Sequence, residues 1–233
     1  MPDPSYRPRW ETWLDNIVFA IGRLELQRSG YGHARGLMRV FWLVERVLAR
    51  LANLQQVRPD AVMRYQIATL HTDDLPLSDG RWVRRGQRVM VLHWNNGTIA
   101  RSAASLPDTH AMTWYLIRTS IRDFRDAAAL VQAGKIPADV QAVWAETIIY
   151  KALPRLGFSI RPAPRTLRTP FARLFQLTMV AIYGRDGLAR LEGAHQRHLE
   201  LGEAWMGMDE FLRRYGSRPE KGGAGQAKAK TGE

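Results

Sequence analysis

VWAETIIYKALPRLGFSIRPAP, residues Val143–Pro164, is the stretch that decides the fold of this chain. It predicts a buried strand, a short helix that ends at Leu156, and a second strand over residues 158–161. A strand, a helix and a strand in so short a span indicate a domain that packs helices against a sheet. The stretch therefore predicts an architecture, and it contains no residue pattern that names a reaction.

The segments on either side continue this mixture of helices and strands. In chain order, the predicted elements are helices over 10–28 and 34–54, a three-stranded meander over 61–94, a loop over 95–107, a helix over 108–133, the elements of 140–161, a helix from Thr169–Pro170, a strand over 204–206 and a helix over 209–215. Together they predict one α/β (α+β) domain over 1–217. Residues 1–58 form its helical pair, 59–217 hold its sheet and remaining helices, and the polar stretch 218–233 is predicted to be a disordered basic tail.

Composition limits the classes of function. The chain has no cysteine, which excludes disulfides, thiolate metal sites and a cysteine nucleophile. No apolar run is long enough to predict a transmembrane helix, and we expect no secretory signal and a cytoplasmic location, with peripheral membrane contact left open. The net charge of +12 favours acidic partners, and nearly all of the 34 basic residues are arginine. Either phosphate and carboxylate recognition or genomic base composition explains this excess of arginine.

The segment Tyr150–Phe158, YKALPRLGF, resembles the closing part of the GNAT-like acyltransferase fold. This resemblance implies a mixed central sheet of about six to seven strands flanked by helices. The GNAT-like fold carries a QxxGxG/A loop that holds the pyrophosphate of coenzyme A at a helix N-terminus. The corresponding stretch here is NNGTIARSAASLPDTH, which lacks that glycine pair, so we predict no cofactor.

A second set of motifs resembles the YkoP-like family. The matching residues are Arg64–Tyr65, Leu77–Gly80, Leu92–Asn95, Arg155–Phe158, and His195-x-x-His198 ahead of Met208 and Leu212. One departure is Gln87, where the family tends to carry Asp. The resemblance implies a binding or accessory module in cell-envelope polysaccharide or glycolipid metabolism. A divergent acyltransferase that uses an acyl carrier protein or an unusual acyl donor is the alternative, and a charge-driven binder of anionic membranes or nucleic acid is the second alternative.

His93 and Glu146 are the predicted catalytic pair. His93 and Asn95 lie two residues apart at a strand end, so their side chains share one face of the sheet. Glu146 follows the next strand, where it would complete a base with His93. The competing interpretations are that Asn95 starts a turn with Asn96 and that Glu146 and Thr147 belong to a helix cap.

The other candidates are binding residues. The motifs add Asn95, Asn96, Arg64, Asp79 and Arg155 as ligand-binding residues, although Arg155 is equally well explained by packing beside Phe158. His195 and His198 lie three apart with Glu192 one turn earlier, but without an HExxH pattern, so no metal site is predicted.

The expected partners follow from charge. Arg35, Arg39, Arg46 and Arg50 share one side of a predicted helix, opposite an apolar stripe that includes Val44, Val47 and Leu51. The stripe is predicted to pack on the sheet, and the arginines either remain solvated or contact anionic lipid. An anionic small molecule, a saccharide or an acyl carrier is the expected ligand. No nucleic-acid motif is present, so specific nucleic-acid binding is not expected.

Overall fold

The computed structural model describes residues 37–106, 109–164, 166, 169, 172–173, 175–176 and 200–217. The helices in these ranges are α1 (Leu37–Leu51), α2 (Asn96–Ser105), α3 (Thr109–Gln132) and α4 (Met208–Tyr215), with a 3₁₀ helix at Tyr150–Leu156. The strands are β1 (Gln55–Gln56), β2 (Met63–Thr69), β3 (Leu75–Pro76), β4 (Trp82–Val83), β5 (Arg88–Trp94), β6 (Ala142–Thr147), β7 (Ser159–Pro162) and β8 (Gly202–Gly207). The predicted helix over 10–28, Arg35, the two histidines of the HxxH pair and the tail lie outside the described residues. Of the helix predicted from Thr169–Pro170, residues 169, 172–173 and 175–176 are described, and these are helical.

Six strands form one mixed sheet in the order β1-β2-β5-β6-β8-β7. The pair β5 and β6 is parallel, and every other neighbouring pair is antiparallel. A parallel pair needs a long crossover connection, which α2 and α3 supply. The predicted fold class, a mixed α/β domain with helices around the sheet, is confirmed.

Strands β3 and β4 form a separate two-stranded hairpin, so the prediction of a continuous three-stranded meander is wrong. Strand β4 ends at Val83, and β5 pairs with β2 instead of with the hairpin. The physical reason is that Leu75 and Val83 are fully buried against one face of the sheet. The hairpin thus acts as a lid on that face and does not extend the sheet.

The alternation of β5 divides its apolar residues between two cores. Met90 and Leu92 face the larger core, which contains Phe124 of α3 and Phe211 of α4, whereas Val89 and Val91 face the hairpin. We call the second side the hairpin face. A two-sided core of this kind is what the continuous apolar run of β5 predicts.

The Arg155–Phe158 motif has a packing role. Phe158 packs on Phe124 with ring centroids 5.5 Å apart, and Phe124 also contacts Phe211 and Tyr215. Gly157 closes the 3₁₀ helix with a φ of 86°, a conformation that glycine adopts readily. Gly157 therefore ends the 3₁₀ helix, and Phe158 anchors the chain in the larger core just before β7 begins.

Two further predictions are wrong. Residues 96–105 form α2 instead of a loop, because Asn95 caps the helix. Among the described side chains of the predicted α1 stripe, Val44, Val47 and Leu51 do not pack on the sheet, because they are 45%, 45% and 78% exposed. Among the described α1 side chains, Glu45 contacts an arginine of the sheet. In the described ranges, no helix combines the length and the apolar character that crossing a bilayer requires.

Candidate functional site

Charged and polar side chains form one row across the hairpin face of the sheet. Arg64 is the register partner of His93 in β2 and β5, and Glu203 of β8 is the partner of both Glu146 in β6 and Arg161 in β7. Partners in neighbouring strands point to the same face. We call Arg64, His93, Glu146, Glu203 and Arg161 the polar row.

The polar row lies where the two halves of the sheet separate. Parallel pairing of β5 with β6 ends at Val91 and Trp144, and His93 and Glu146 are each two residues further along. Beyond this point β5 stays paired with β2 through Trp94, and β6 stays paired with β8 through Thr147. Both strands therefore continue with their outer partners after they leave each other. We call the place where the two strands separate the opening; the half-buried side chains of His93 and Glu146 lie on its two strands, just beyond the last paired residues.

Glu203 and Arg161 form the end of the row on strands β8 and β7. Glu203 is fully buried, and its Oε2 atom accepts a hydrogen bond from Arg161 Nε at 2.5 Å. The remaining guanidinium nitrogens of Arg161 donate to the backbone carbonyls of Asp73 and Asp74 at 2.9 and 3.0 Å. Burial of a carboxylate is tolerated when it is paired in this way. The ion pair thereby joins β7, β8 and the segment that leads into the hairpin.

Two tryptophans lie directly beside the charged residues. Trp144 and Trp205 are register partners one row below Glu146 and Glu203, and both are buried. The Arg161 guanidinium stacks over the Trp205 ring at 5.3 Å. Within the described part of the chain, Glu203 Oε1 and Trp144 Nε1 are buried atoms without a hydrogen-bond partner. Glu203 of the polar row therefore has a spare acceptor, and Trp144 beside the row has a spare donor, that described residues do not use.

Asn95 and Arg64 form the opposite end of the row, at strand β2. Asn95 is 2% exposed, and its Oδ1 atom accepts from Arg64 Nη2 at 2.9 Å and from the Thr98 amide at 3.4 Å. Its Nδ2 atom donates to the Ala61 carbonyl at 3.0 Å. Asn95 is thus an N-cap residue whose amide also fixes Arg64.

Glu45 approaches Arg64 from α1. Its carboxylate lies 3.8 Å from Arg64 Nη1. Burial raises the pKa of Glu45, while Arg64 and hydrogen bonds from Asn96 oppose that rise. Asn96 is itself buried. Asn95 and Asn96 therefore belong to the framework that orients Arg64. The guanidinium of Arg64 already has the Glu45 carboxylate as a neighbour.

The structure does not bring Asp79 and Arg155 to the row. Asp79 occupies the hairpin turn, where it accepts from the amide and the Nε atom of Arg81 at 3.0 and 2.8 Å. These hydrogen bonds lower the pKa of Asp79. Arg81 also pairs with Asp209, which lies just beyond the end of β8 opposite Glu203. Arg155 is exposed on the 3₁₀ helix and forms no ion pair with a described residue.

No described group of three or more His, Asp or Glu side chains is arranged to hold a metal ion. The acidic residues of the row are Glu146 and Glu203, and Arg161 already neutralises Glu203. What this arrangement offers chemically is a set of carboxylate, imidazole and guanidinium groups that hydrogen bond to polar ligands.

Sequence reasoning found His93, Glu146 and Arg64 but missed Glu203, Arg161 and Glu45. Arg161 and Glu203 are 42 residues apart, so only the antiparallel pairing of β7 with β8 reveals their contact. The one available signal was local. Glu203 precedes Ala204–Met206, and extending that predicted strand backwards by one residue places a carboxylate inside the sheet.

The model of the YkoP domain family matches residues 34–215, which is well over half of the chain. No curated protein and no solved structure matches the chain. The matched range contains the whole polar row and every described helix and strand.

Proposed function

The chain belongs to the YkoP domain family, and we propose that it is a binding module for a saccharide of the cell envelope. The proposal places the ligand against the polar row, at the opening between β5 and β6. The envelope context comes from the resemblance described above, and the class of ligand comes from the chemistry of the row.

The observation that carries the proposal is the polar row itself. Five polar side chains from five strands lie in register on one face, and two tryptophans lie in the next row. Hydroxyl groups both donate and accept hydrogen bonds, so they match a surface that mixes carboxylates with guanidinium and imidazole groups. Small-molecule sites typically combine such placed polar groups with an aromatic lining.

The charge of the row favours a neutral ligand over an anion. Arg161 is neutralised by Glu203 at 2.5 Å, and Arg64 has Glu45 at 3.8 Å. Both guanidinium groups of the row therefore already have a carboxylate neighbour, although the chain as a whole has a charge of +12. An anionic ligand would have to compete with these carboxylates for the arginines. The row thus favours a saccharide over a phosphate among the ligands that composition allows.

The test is thermal unfolding in the presence of named probes. A ligand that binds only the folded state at about ten times its Kd adds about 1.4 kcal/mol of stability, which corresponds to a shift of roughly 3–5 °C for a domain of this size. We expect tetrasaccharides of N-acetylglucosamine, glucose or mannose to include at least one that gives such a shift, and inorganic phosphate to give none. The proposal is overturned if phosphate alone raises the unfolding temperature, or if none of the saccharides raises it.

Matched variants locate the binding surface. His93→Ala and Glu146→Gln change half-buried groups on the two sides of the opening, whereas His71→Ala removes an exposed histidine outside the row. We expect the first two to lose the saccharide-induced shift while unfolding, without ligand, within about 1 kcal/mol of the wild type. His71→Ala should keep the shift. Equal responses in all three variants would move the site away from the polar row.

A divergent acyltransferase is the second candidate, and one observation favours it. The parallel pair β5 and β6 separates early, and α2 begins at Asn96 directly after β5. This order agrees with the GNAT-like resemblance, in which an acyl donor lies between the corresponding strands. His93 would then serve as the base and Glu146 would orient it. Transfer of a radiolabelled acyl group from acyl carrier protein to an amino sugar, lost in His93→Ala, supports this candidate; absence of transfer excludes that reaction.

A further inference from the structure

One side of α3 presents a tryptophan and three arginines to solvent. Trp114 is 55% exposed, and Arg118, Arg122 and Arg125 are also exposed. We call these four residues the α3 basic face. None of its guanidinium groups lies within 4.0 Å of a carboxylate in the described part of the chain. The carboxylate of Asp60 accepts a hydrogen bond from Arg58 at 2.7 Å, which lowers its pKa more than the charge of Arg122 does.

The lack of a carboxylate within ion-pair distance distinguishes these three arginines from many, but not all, of the other described arginines. Many described arginines have a carboxylate within ion-pair distance, namely Arg58, Arg64, Arg81, Arg84, Arg88, Arg161, Arg213 and Arg214. An arginine that has no internal partner offers all of its donors to an external anion. Three such arginines in succession on one helix concentrate positive charge in one place.

The helix geometry brings the four residues together. At about 100° and 1.5 Å per residue, they fall within an arc of roughly 80° and span about 17 Å along the axis. Ile117, which is 39% exposed, lies beside Trp114 on the flank of this arc. Apolar and basic groups therefore share one rigid surface along the middle of the helix, from Trp114 to Arg125.

The helix is firmly held on its other side. Phe124, Ala127 and Ala128 are buried in the larger core. Asp123 pairs with Arg58 at 2.5 Å and accepts from the Met63 amide at 3.0 Å. The α3 basic face therefore presents its charges without any need to order a flexible segment first.

We propose that the α3 basic face docks the protein on an anionic lipid bilayer. Arginine donors match lipid phosphate groups, and arginine stems remain near the acyl boundary while the charged ends reach the head groups. Tryptophan is favoured at this boundary, and an exposed Ile117 beside it also gains from insertion. Nucleic acid would use the arginines but gives no reason for the exposed isoleucine. The proposal is independent of the saccharide site, which lies on the hairpin face and not on α3.

Vesicle sedimentation tests the docking. The full chain is mixed with vesicles of phosphatidylcholine alone or of phosphatidylcholine and phosphatidylglycerol at 3:1. Each arginine near an anionic surface is expected to change the partition coefficient about fivefold, so R118Q/R122Q/R125Q should lose on the order of 100-fold. Because this attraction is screened, binding of the wild type should fall steeply with added salt. Equal binding to the neutral vesicles, or no salt dependence, overturns the proposal.

A matched charge variant distinguishes α3 from α1. Arg46 and Arg50 are exposed on α1, the helix whose arginines the sequence suggested as lipid contacts. R46Q/R50Q should retain wild-type sedimentation within about threefold, and a larger loss than in the α3 variant assigns docking to α1 instead. A triple variant that loses binding to a DNA duplex but not to vesicles likewise overturns the bilayer assignment.

Insertion is measured with an environment-sensitive label. The chain has no cysteine, so a single introduced cysteine is labelled without competition. Ile117→Cys carrying a nitrobenzoxadiazole group should shift to shorter emission wavelengths on anionic vesicles. Ser78→Cys, at the exposed tip of the hairpin on the opposite face of the sheet, should not shift. Identical responses at the two positions contradict docking through α3.

Discussion

Replacing Arg161 should destabilise the protein strongly, because it leaves a charge in the core. Glu203 is 0% exposed, and Arg161 is its ion-pair partner at 2.5 Å. Removing one partner of a buried pair typically costs about 3–5 kcal/mol. Arg161→Met also removes the donors to the carbonyls of Asp73 and Asp74, and each such hydrogen bond contributes about 1 kcal/mol. Since a quarter of the Arg161 side chain is exposed, we expect a total of about 4 kcal/mol rather than the sum.

The measurement is urea unfolding of Arg161→Met, compared with Arg88→Met as the control. Arg88 pairs with Asp139 at 2.9 Å, but both side chains are largely exposed, so its loss should cost less than about 1 kcal/mol. The double variant R161M/E203Q should recover at least half of the loss, because it no longer buries an unpaired charge. A cost for Arg161→Met no greater than that of the control, or a double variant as unstable as the single one, would refute the reasoning.

Two further predictions concern stability. Burial raises the pKa of the Asp123 carboxyl group from 3.8 to about 6, so the folded state binds this proton more tightly than the unfolded state does. The stability that the protonated carboxyl group contributes is therefore lost as the pH rises through 6. The free energy of unfolding of the wild type relative to Asp123→Asn should therefore fall by about 2–3 kcal/mol between about pH 4 and pH 7 in urea titrations, and a constant difference contradicts this. Gly157→Ala should cost about 1–2 kcal/mol because its φ is 86°, whereas the Arg214 guanidinium near the added Cβ is the end of a flexible side chain that can move away. Gly134→Ala, at φ 68° with open space around it, should therefore cost about the same, and a much larger loss at Gly157 would contradict this account.

Periodicity and turn residues predicted most of the fold. The helix expected over 108–133 is α3, and the one over 209–215 is α4, because both have apolar residues at helical spacing and identifiable ends. The loop expected after Trp94 is α2 instead. Asn96, Gly97 and Thr98 are poor helix formers, and only the capping contacts of Asn95 show why a helix begins there.

The polar row could be predicted only in part, because each half of it depends on a different kind of information. Arg64 and His93 belong to strands that are near each other in sequence, so short-range alternation places them together. Glu203 and Arg161 meet only when β8 inserts between β6 and β7, a pairing that local patterns do not encode.

The separation of β5 from β6 is a property of the assembled sheet. Each strand satisfies its backbone with its outer partner up to Trp94 and Thr147, so ending the inner pairing at Val91 and Trp144 leaves each strand paired on one side. His93 and Glu146 can then flank an opening while their strands remain fixed. The buried pair of Glu203 and Arg161 secures the strand beside Glu146, and the Asn95 cap secures the strand that carries His93. Variants at these supporting positions should therefore lower stability first and ligand binding in proportion, whereas variants at His93 and Glu146 should affect binding alone.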